Sequence, residues 1–319
     1  MNINSSCSIC ESNIRPISKK NLINKNTELS WESDSTFEIL NLDKEEVFLG
    51  FCSKCLQTTI YPKFDTNLIY NEKSYLLRKK HYEKYYPGKI YGSESKEISL
   101  QSTYKKKLEE LKDFKYINDA LVKLINNKQN KTFTILDYGG GDGFMSQSFC
   151  LLIKTISNIN INVEIFDLIE KDVNKEKILN KKYDLIILSH IIEHLHEPKK
   201  VIHECKSLLS NNGLIYCEVP DERLMIIKSM YKRFGLHYHV THHTRRSLHL
   251  LFNILGFKNI FTKYCNRASW RGNEISTIMC IVSNDNHFVN FKNKPTSFIY
   301  EFFSFLNRIK FYLTKKITH

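Results

Sequence analysis

Glycine is scarce in this chain, 11 of 319 residues, yet four of the eleven crowd into Gly139, Gly140, Gly141 and Gly143. The scarcity elsewhere excludes glycine-rich linkers. The crowding marks one loop whose backbone must take φ > 0 or admit a ligand with no Cβ in the way. Two further absences narrow what that loop can hold. Counted from Gly139, the sixth position is Phe144 and not glycine, so the dinucleotide fingerprint is missing. The Gly-Lys-Ser/Thr ending of a phosphate loop is missing too. Acidic residues are also in short supply, 34 Asp and Glu against 47 Lys and Arg, for a net charge of +13. A basic chain invites a nucleic-acid reading. Here Lys79-Lys80, Lys105-Lys106-Lys107 and Lys181-Lys182 are scattered and not interleaved with aromatics. They read as solvated faces, or as a surface that attracts anionic substrates. No signal-peptide pattern is recognisable, so a cytoplasmic, reducing setting without disulfides is expected.

What is present begins at Ile135-Leu136-Asp137, a strand that runs into the glycine loop and then into a helical pattern from Phe144. Asp137, Gly139, Gly141 and Gly143 form the pattern acid-x-Gly-x-Gly-x-Gly. This resembles the first motif of the class I S-adenosylmethionine (SAM) methyltransferases. Asn162 to Asp167 reads as a second strand ending in a carboxylate 24 residues after Gly143, where an acid can accept both hydroxyls of a ribose. Tyr183 to Ser189 is an apolar run of the kind a buried parallel strand shows on both faces. Pro198 opens a helix, Gly213 follows its end, and Leu214 to Val219 begins another strand. The stretch YDLIILSHIIEHLHEPKKVIHECKSLLSNNGLIYCEVPDE resembles the fourth-to-fifth-strand region of the same methyltransferases. That resemblance implies that Ser189 and His190 line the methionine end of the cofactor.

The expected fold is therefore α/β, a Rossmann-like class I methyltransferase sheet, mostly parallel. Its last strand, Ile275 to Val282, follows Phe257 to Tyr264 by a short loop and should run antiparallel. Only 15 residues separate Asp167 from Tyr183, too few for a full crossover of about 30. The third-strand region should be shortened or missing, and the adenine contact is unassigned, Asp172 being a guess.

Cys7-x-x-Cys10 and Cys52-x-x-Cys55 give the ligand count and local spacing of a four-thiolate zinc site. The 41 residues between the pairs exceed the usual gap, but loop closure costs rise slowly with length. A disulfide pair or unrelated thiols are the alternatives. Cys150, Cys205, Cys217, Cys265 and Cys280 lie in apolar elements, as buried thiols do.

Paired cysteines, the tyrosine-rich YEKYYPGKIYG and the glycine loop together resemble a bacterial family over about residues 5 to 283. Its members carry an amino-terminal zinc-binding segment on a class I methyltransferase domain, and several modify nucleotide-linked or polysaccharide sugars. The resemblance implies SAM and a structural Zn2+ as cofactors and a small-molecule or nucleotide-linked sugar or glycan as acceptor, with nucleic acid disfavoured. Rival acceptors are a nucleotide-linked keto sugar methylated on carbon, RNA, or protein; a non-catalytic zinc adaptor is the rival outside enzymes.

Base candidates follow from position. Ser189, His190 and Glu193 end the fourth strand, at the edge where open α/β sheets bind ligands. His237, His239, His242 and His243 cluster after the fifth, and are either acceptor-pocket groups or solvent-exposed loop histidines. His239 or His242 is the expected base, with His190 the third candidate; His194 reads equally well as a packed helix residue. The expected layout is a zinc-binding module over 1–75, a helical connector over 76–130, the methyltransferase domain over 131–285 and an amphipathic, basic tail over 286–319. Tyr104 to Ile125 keeps helical spacing, as one long connecting helix would. The apolar stripe from Phe298 to Leu313 carries Glu301, Arg308 and Lys310, so it cannot span a membrane; it packs on protein or lies on a membrane surface.

Overall fold

The computed structural model describes residues 6–16, 31–42, 47–61, 63–64, 68, 72–88, 100–128, 132–167, 178–221, 239–268 and 274–284. His237, Asp172 and the stripe from Phe298 to Leu313 lie outside them. In chain order the elements are β1 (Arg15–Pro16), α1 (Trp31–Leu40), β2 (Phe48–Phe51), β3 (Thr58–Tyr61), α2 (Glu72–Tyr85), α3 (Leu100–Asp113) and α4 (Lys115–Asn126). Then follow β4 (Thr132–Tyr138), α5 (Phe144–Ile156), β5 (Asn160–Phe166), β6 (Tyr183–Ser189), α6 (Pro198–Leu208) and β7 (Leu209–Pro220). The last are β8 (Thr241–His242), α7 (Arg245–Ile254), β9 (Asn259–Ala268) and β10 (Glu274–Ser283).

A six-stranded sheet has the order β5-β4-β6-β7-β10-β9. β4 pairs in parallel with β5 and β6, and β6 with β7, while β10 runs antiparallel to both β7 and β9. No strand lies beyond β5 among the described residues, in keeping with a shortened third-strand region. Each face of the sheet is covered, which lets β6 be buried along nearly its whole length and apolar from Leu185 to Leu188. On one face Ile117, Leu121 and Leu124 of α4 pack with Phe149 and Leu152 of α5. On the other, Ile202 and Cys205 of α6 and Leu248 and Leu251 of α7 share a core with Cys7, Ile9, Cys52 and Cys55. The chain leaves β4 toward β5 on one side and returns to β6 on the other, so the crevice at the carboxyl ends of β4 and β6 is where such sheets take ligands.

The second sheet is β1-β2-β3-β8. Three of its strands come from the amino-terminal segment, and the fourth comes from the histidine stretch that the sequence places in the methyltransferase domain. Thr58 pairs with His242 and Thr59 with Thr241, and the Ile60 N–H donates to the Val240 carbonyl at 2.9 Å. The cysteine-bearing segment is thus built into the larger body.

Two expectations need correction. The stretch from Tyr104 to Ile125 is two helices, α3 and α4, rather than one long one. At Phe114 ψ is 76°, and its ring is buried against Phe261. The Asn118 side-chain amide donates to the Leu111 and Lys112 carbonyls that the break exposes. The apolar spacing survives because both helices present it to the same core. Lys107, in one of the runs read as solvated, is buried and donates to Glu218 Oε2 at 2.7 Å, an oxygen that also accepts from the Tyr216 hydroxyl.

That pair fastens α3 to the carboxyl half of β7. Breaking a buried ion pair from one side costs about 3–5 kcal/mol, here toward the low end because Lys107 Nζ also stands 3.5 Å from Glu110 Oε2. Glu218→Gln should lose about that much in urea unfolding, and adding Lys107→Met should restore part of it.

A second link joins the segment before α2 to the turn before α6. The Phe64 N–H donates to His196 Nε2 at 3.2 Å, and the two rings meet edge to face. Burial, then the nearby Lys63, push the imidazole down to about 4. A histidine depressed on folding contributes stability above about pH 6.5 that is lost as the pH falls toward 4. His196→Gln should remove about 1–2 kcal/mol of the stability loss between pH 7 and pH 5, measured as the difference between the two pH profiles.

Candidate functional site

The loop after β4 needs its glycines for different reasons. Gly139, Gly141 and Gly143 have φ of 72°, 52° and 74°, where an L side chain costs about 1–2 kcal/mol. Gly139 also lies directly against Ile191, so that a Cβ there would collide. Gly140 is not left-handed, but its Cβ would stand 2.5 Å from Cγ of Asp137. The Asp137 carboxylate sits buried beneath the loop and accepts from the Ser146 N–H at 3.0 Å, on the first turn of α5. Burial raises its pKa, the Ser146 bonds oppose this, and Asp142 and Asp167 add to it. Asp137 therefore holds the loop to the helix from below. Gly141 is exposed, and the nearest atom to its missing Cβ is Asp167 Oδ2 at 4.0 Å. Its N–H donates to that oxygen at 3.1 Å. The open part of the loop thus lies over Gly141 and the half-buried Asp167.

Across the crevice, β6 ends at the half-buried Ser189, and His190 turns the chain with φ 57°. Its N–H donates to the Glu218 carbonyl at 2.9 Å. Its Nδ1 stands 3.1 Å from Glu193 Oε1, while His194 Nε2 stands 4.0 Å from the same oxygen. A carboxylate can only accept, so Nδ1 carries the proton and His190 Nε2 is left as the acceptor. Glu193 is buried, and its Oε2 has no hydrogen-bond partner among the described residues. Burial raises its pKa, but His190, His194 and His239 outweigh that and keep the carboxyl below its ordinary value.

The second histidine group divides. His239 is half-buried, with its ring 4.8 Å from that of His194 and edge-on to it. His242 is buried within β8, and His243 is buried with Nε2 3.1 Å from Thr241 Oγ1. Neither is a solvent-exposed loop residue. The Thr241 hydroxyl lies within hydrogen-bond reach of the carbonyls of Ile192 and Glu193, at 3.2 and 3.3 Å. That bond sets β8, and with it His239, against the turn that carries Glu193.

The cysteine pairs form two matching turns. The Glu11 N–H donates to the Cys7 carbonyl at 2.9 Å and the Leu56 N–H to the Cys52 carbonyl at 2.8 Å. Glu11 and Leu56, each following the second cysteine, are both left-handed, with φ of 60° and 64°. The Cys7 and Cys55 sulfurs are 3.5 Å apart and those of Cys10 and Cys52 3.4 Å, and all four lie within 4.8 Å of one another. Tetrahedral thiolates at about 2.3 Å from zinc stand about 3.8 Å apart, so the four sulfurs could hold that ion. The Cys55 thiol pulls Cys7 down to about 5 against the effect of burial, helped by the backbone at Cys10 and Ile9.

Residues 106–261 match the family described as "Methyltransferase domain". The fold is that of the class I methyltransferases. The matched stretch of this methyltransferase domain runs from α3 into β9, and holds the glycine loop, Asp167, the Glu193 turn and β8, but neither cysteine pair. Over 128 residues the chain is 27% identical to a ubiquinone biosynthesis O-methyltransferase of Glaesserella parasuis, covering 33% of this chain and 54% of the relative. It is 24% identical to one from Pelagibacter ubique, covering 34% and 53%. The chain spans about half the length of these curated relatives. Among solved structures it is similar to a SAM-dependent methyltransferase of Methanosarcina mazei, at 14% identity and a TM-score of 0.35 over 50% of this chain and 96% of that one. It is also similar to the plantazolicin methyltransferase BpumL in complex with SAH, at 15% identity and 0.32 over 58% and 89%.

Sequence reasoning left three features of this site unplaced. Gly140 is required by its closeness to Asp137, His194 belongs with Glu193 and His239, and β8 is a strand. For Gly140 alone a signal was available, since a fourth glycine is otherwise a needless entropic cost. The cysteine cluster is tested by metal analysis of the purified full chain. About one zinc per chain is expected, falling well below that in Cys7→Ser and in Cys52→Ser. Because these sulfurs share the core beneath α6 and α7, chelation should also lower the melting temperature.

Proposed function

We propose that this protein transfers the methyl group of SAM to a hydroxyl of a sugar, nucleotide-linked or within a glycan, and that Cys7, Cys10, Cys52 and Cys55 hold a structural zinc. The observation that carries the proposal is the exposed N–H of Gly141 beside the Asp167 carboxylate at the open end of the β4–β6 crevice. That pairing suits a nucleoside, whose ribose hydroxyls would take over the carboxylate now capping the loop. Gly139 and Gly143 let the backbone approach without a side chain, Asp137 holds them there, and Ser189 and His190 close the other wall. When bound, SAM supplies a methyl group made electrophilic by its sulfonium. The chain's own work is to orient the acceptor, exclude water and take its proton.

His190 suits that last task. Glu193 fixes its tautomer and points Nε2 away as acceptor. His239 stands beside the same carboxylate, whereas His242 is enclosed in β8 and suits a base less well. Transfer to oxygen is supported by the names of the curated relatives. The sugar acceptor rests on the resemblance carried by the cysteine pairs and the glycine loop. The reading places the protein in the cytoplasm. Among the described residues no helix is long and apolar enough to cross a membrane; contact with a membrane surface through the carboxy-terminal stripe is a further part of the proposal.

Calorimetry should record SAM binding to the wild type, weakened at least tenfold by Asp167→Ala. His190→Gln should slow transfer by about 10²–10⁴-fold at saturating SAM. Labelled SAM with extracts of candidate sugar nucleotides, read by mass spectrometry, identifies the acceptor; absence of SAM binding by the wild type would overturn the function.

A further inference from the structure

The geometry points to a second metal site, apart from the cysteines, in which Glu193, His194 and His239 bind one divalent cation at the mouth of the crevice. One carboxylate oxygen and one nitrogen from each imidazole lie within 4.8 Å of one another. Octahedral ligands at about 2.1 Å from a first-row ion stand about 3.0–4.2 Å apart, so small inward movements of the two half-buried rings would close the set. The second observation is Glu193 itself. Its Oε1 already serves His190, while Oε2 is enclosed without a hydrogen-bond partner among the described residues. Buried carboxylate oxygens are seldom left unmatched, and a cation would satisfy this one.

Two imidazoles and a carboxylate suit manganese, iron, cobalt or zinc, in contrast to the all-thiolate set, which suits soft ions. The site deepens the proposed function and rests on it for its role. A cation held here would bind the acceptor oxygen as a Lewis acid and lower the pKa of its proton. The acceptor O–H bond breaks with its proton passing to His190 Nε2. The new C–O bond forms as the methyl–sulfur bond breaks, leaving neutral S-adenosylhomocysteine. His239 then acts as a ligand, and His190 keeps the role of base.

Manganese(II) is the probe, because thiolates compete poorly for it and its free signal is read directly by electron paramagnetic resonance. The full wild-type chain should bind one Mn2+. Glu193→Gln and His239→Asn should each weaken binding at least tenfold. His239 is only half-buried, so its variant tests the site even if Glu193→Gln fails to fold. No Mn2+ binding by the wild type at millimolar ion, or undiminished binding by His239→Asn, would overturn the site. Calorimetry with SAM on the same samples separates the two readings: variants that lose Mn2+ should still bind SAM. A wild type that binds Mn2+ but no SAM would sink the function and leave the metal site standing.

Discussion

The pairing of β8 with β3 is the constraint on which the placement of the site depends. Two residues make a strand too short to persist alone. β8 persists because it is gripped from both sides, by Thr58, Thr59 and Ile60 of the amino-terminal sheet and by Thr241 reaching the carbonyls of Ile192 and Glu193. Thr244 Oγ1 reaches the Cys55 carbonyl, and Arg246 donates to that of Lys54. The cysteine turns, the second sheet and His239 thus form one chain of contacts. Among the described residues the amino-terminal segment contributes no side chain to the Glu193 cluster, yet it fixes where one member of that cluster stands.

Polar groups do unusual work in the larger sheet. Asp137, Glu193 and Glu218 are each almost wholly buried, and each ties the carboxyl end of a strand to another element. Asp137 holds the first turn of α5, Glu193 orients His190, and Glu218 receives Lys107 from α3. Such groups are costly to bury unless matched. These three stand on the side of the sheet that carries the crevice, as a prepared ligand-binding edge requires, while buried Asp184 at the start of β6 meets Lys128 and Thr134 at the opposite end.

Much of this could be read from the chain because the requirements were local. A left-handed loop demands glycine where it bends, and a strand ending in an acid followed by a turn declares itself within a few residues. The antiparallel final strand followed from a short connection, and the paired turns followed from two identical cysteine spacings. What stayed hidden depends on partners far away in sequence. Lys107 and Glu218 are separated by 111 residues, and nothing near either predicts the other. β8 is too short to show a period, so its histidines read as a loop. The break at Phe114 was concealed because the same apolar face continues through it.

His190 holds a left-handed backbone without being glycine or asparagine, at a cost of about 1–2 kcal/mol. Random change would relieve that cost easily, since glycine is the better fit for the backbone. A chain that drifts toward stability at this position would abandon the imidazole that Glu193 is buried to meet. Position 190 is therefore a place where thermal robustness and chemistry pull in opposite directions, and a stabilised variant found by screening for heat resistance alone would tend to be a quieter catalyst.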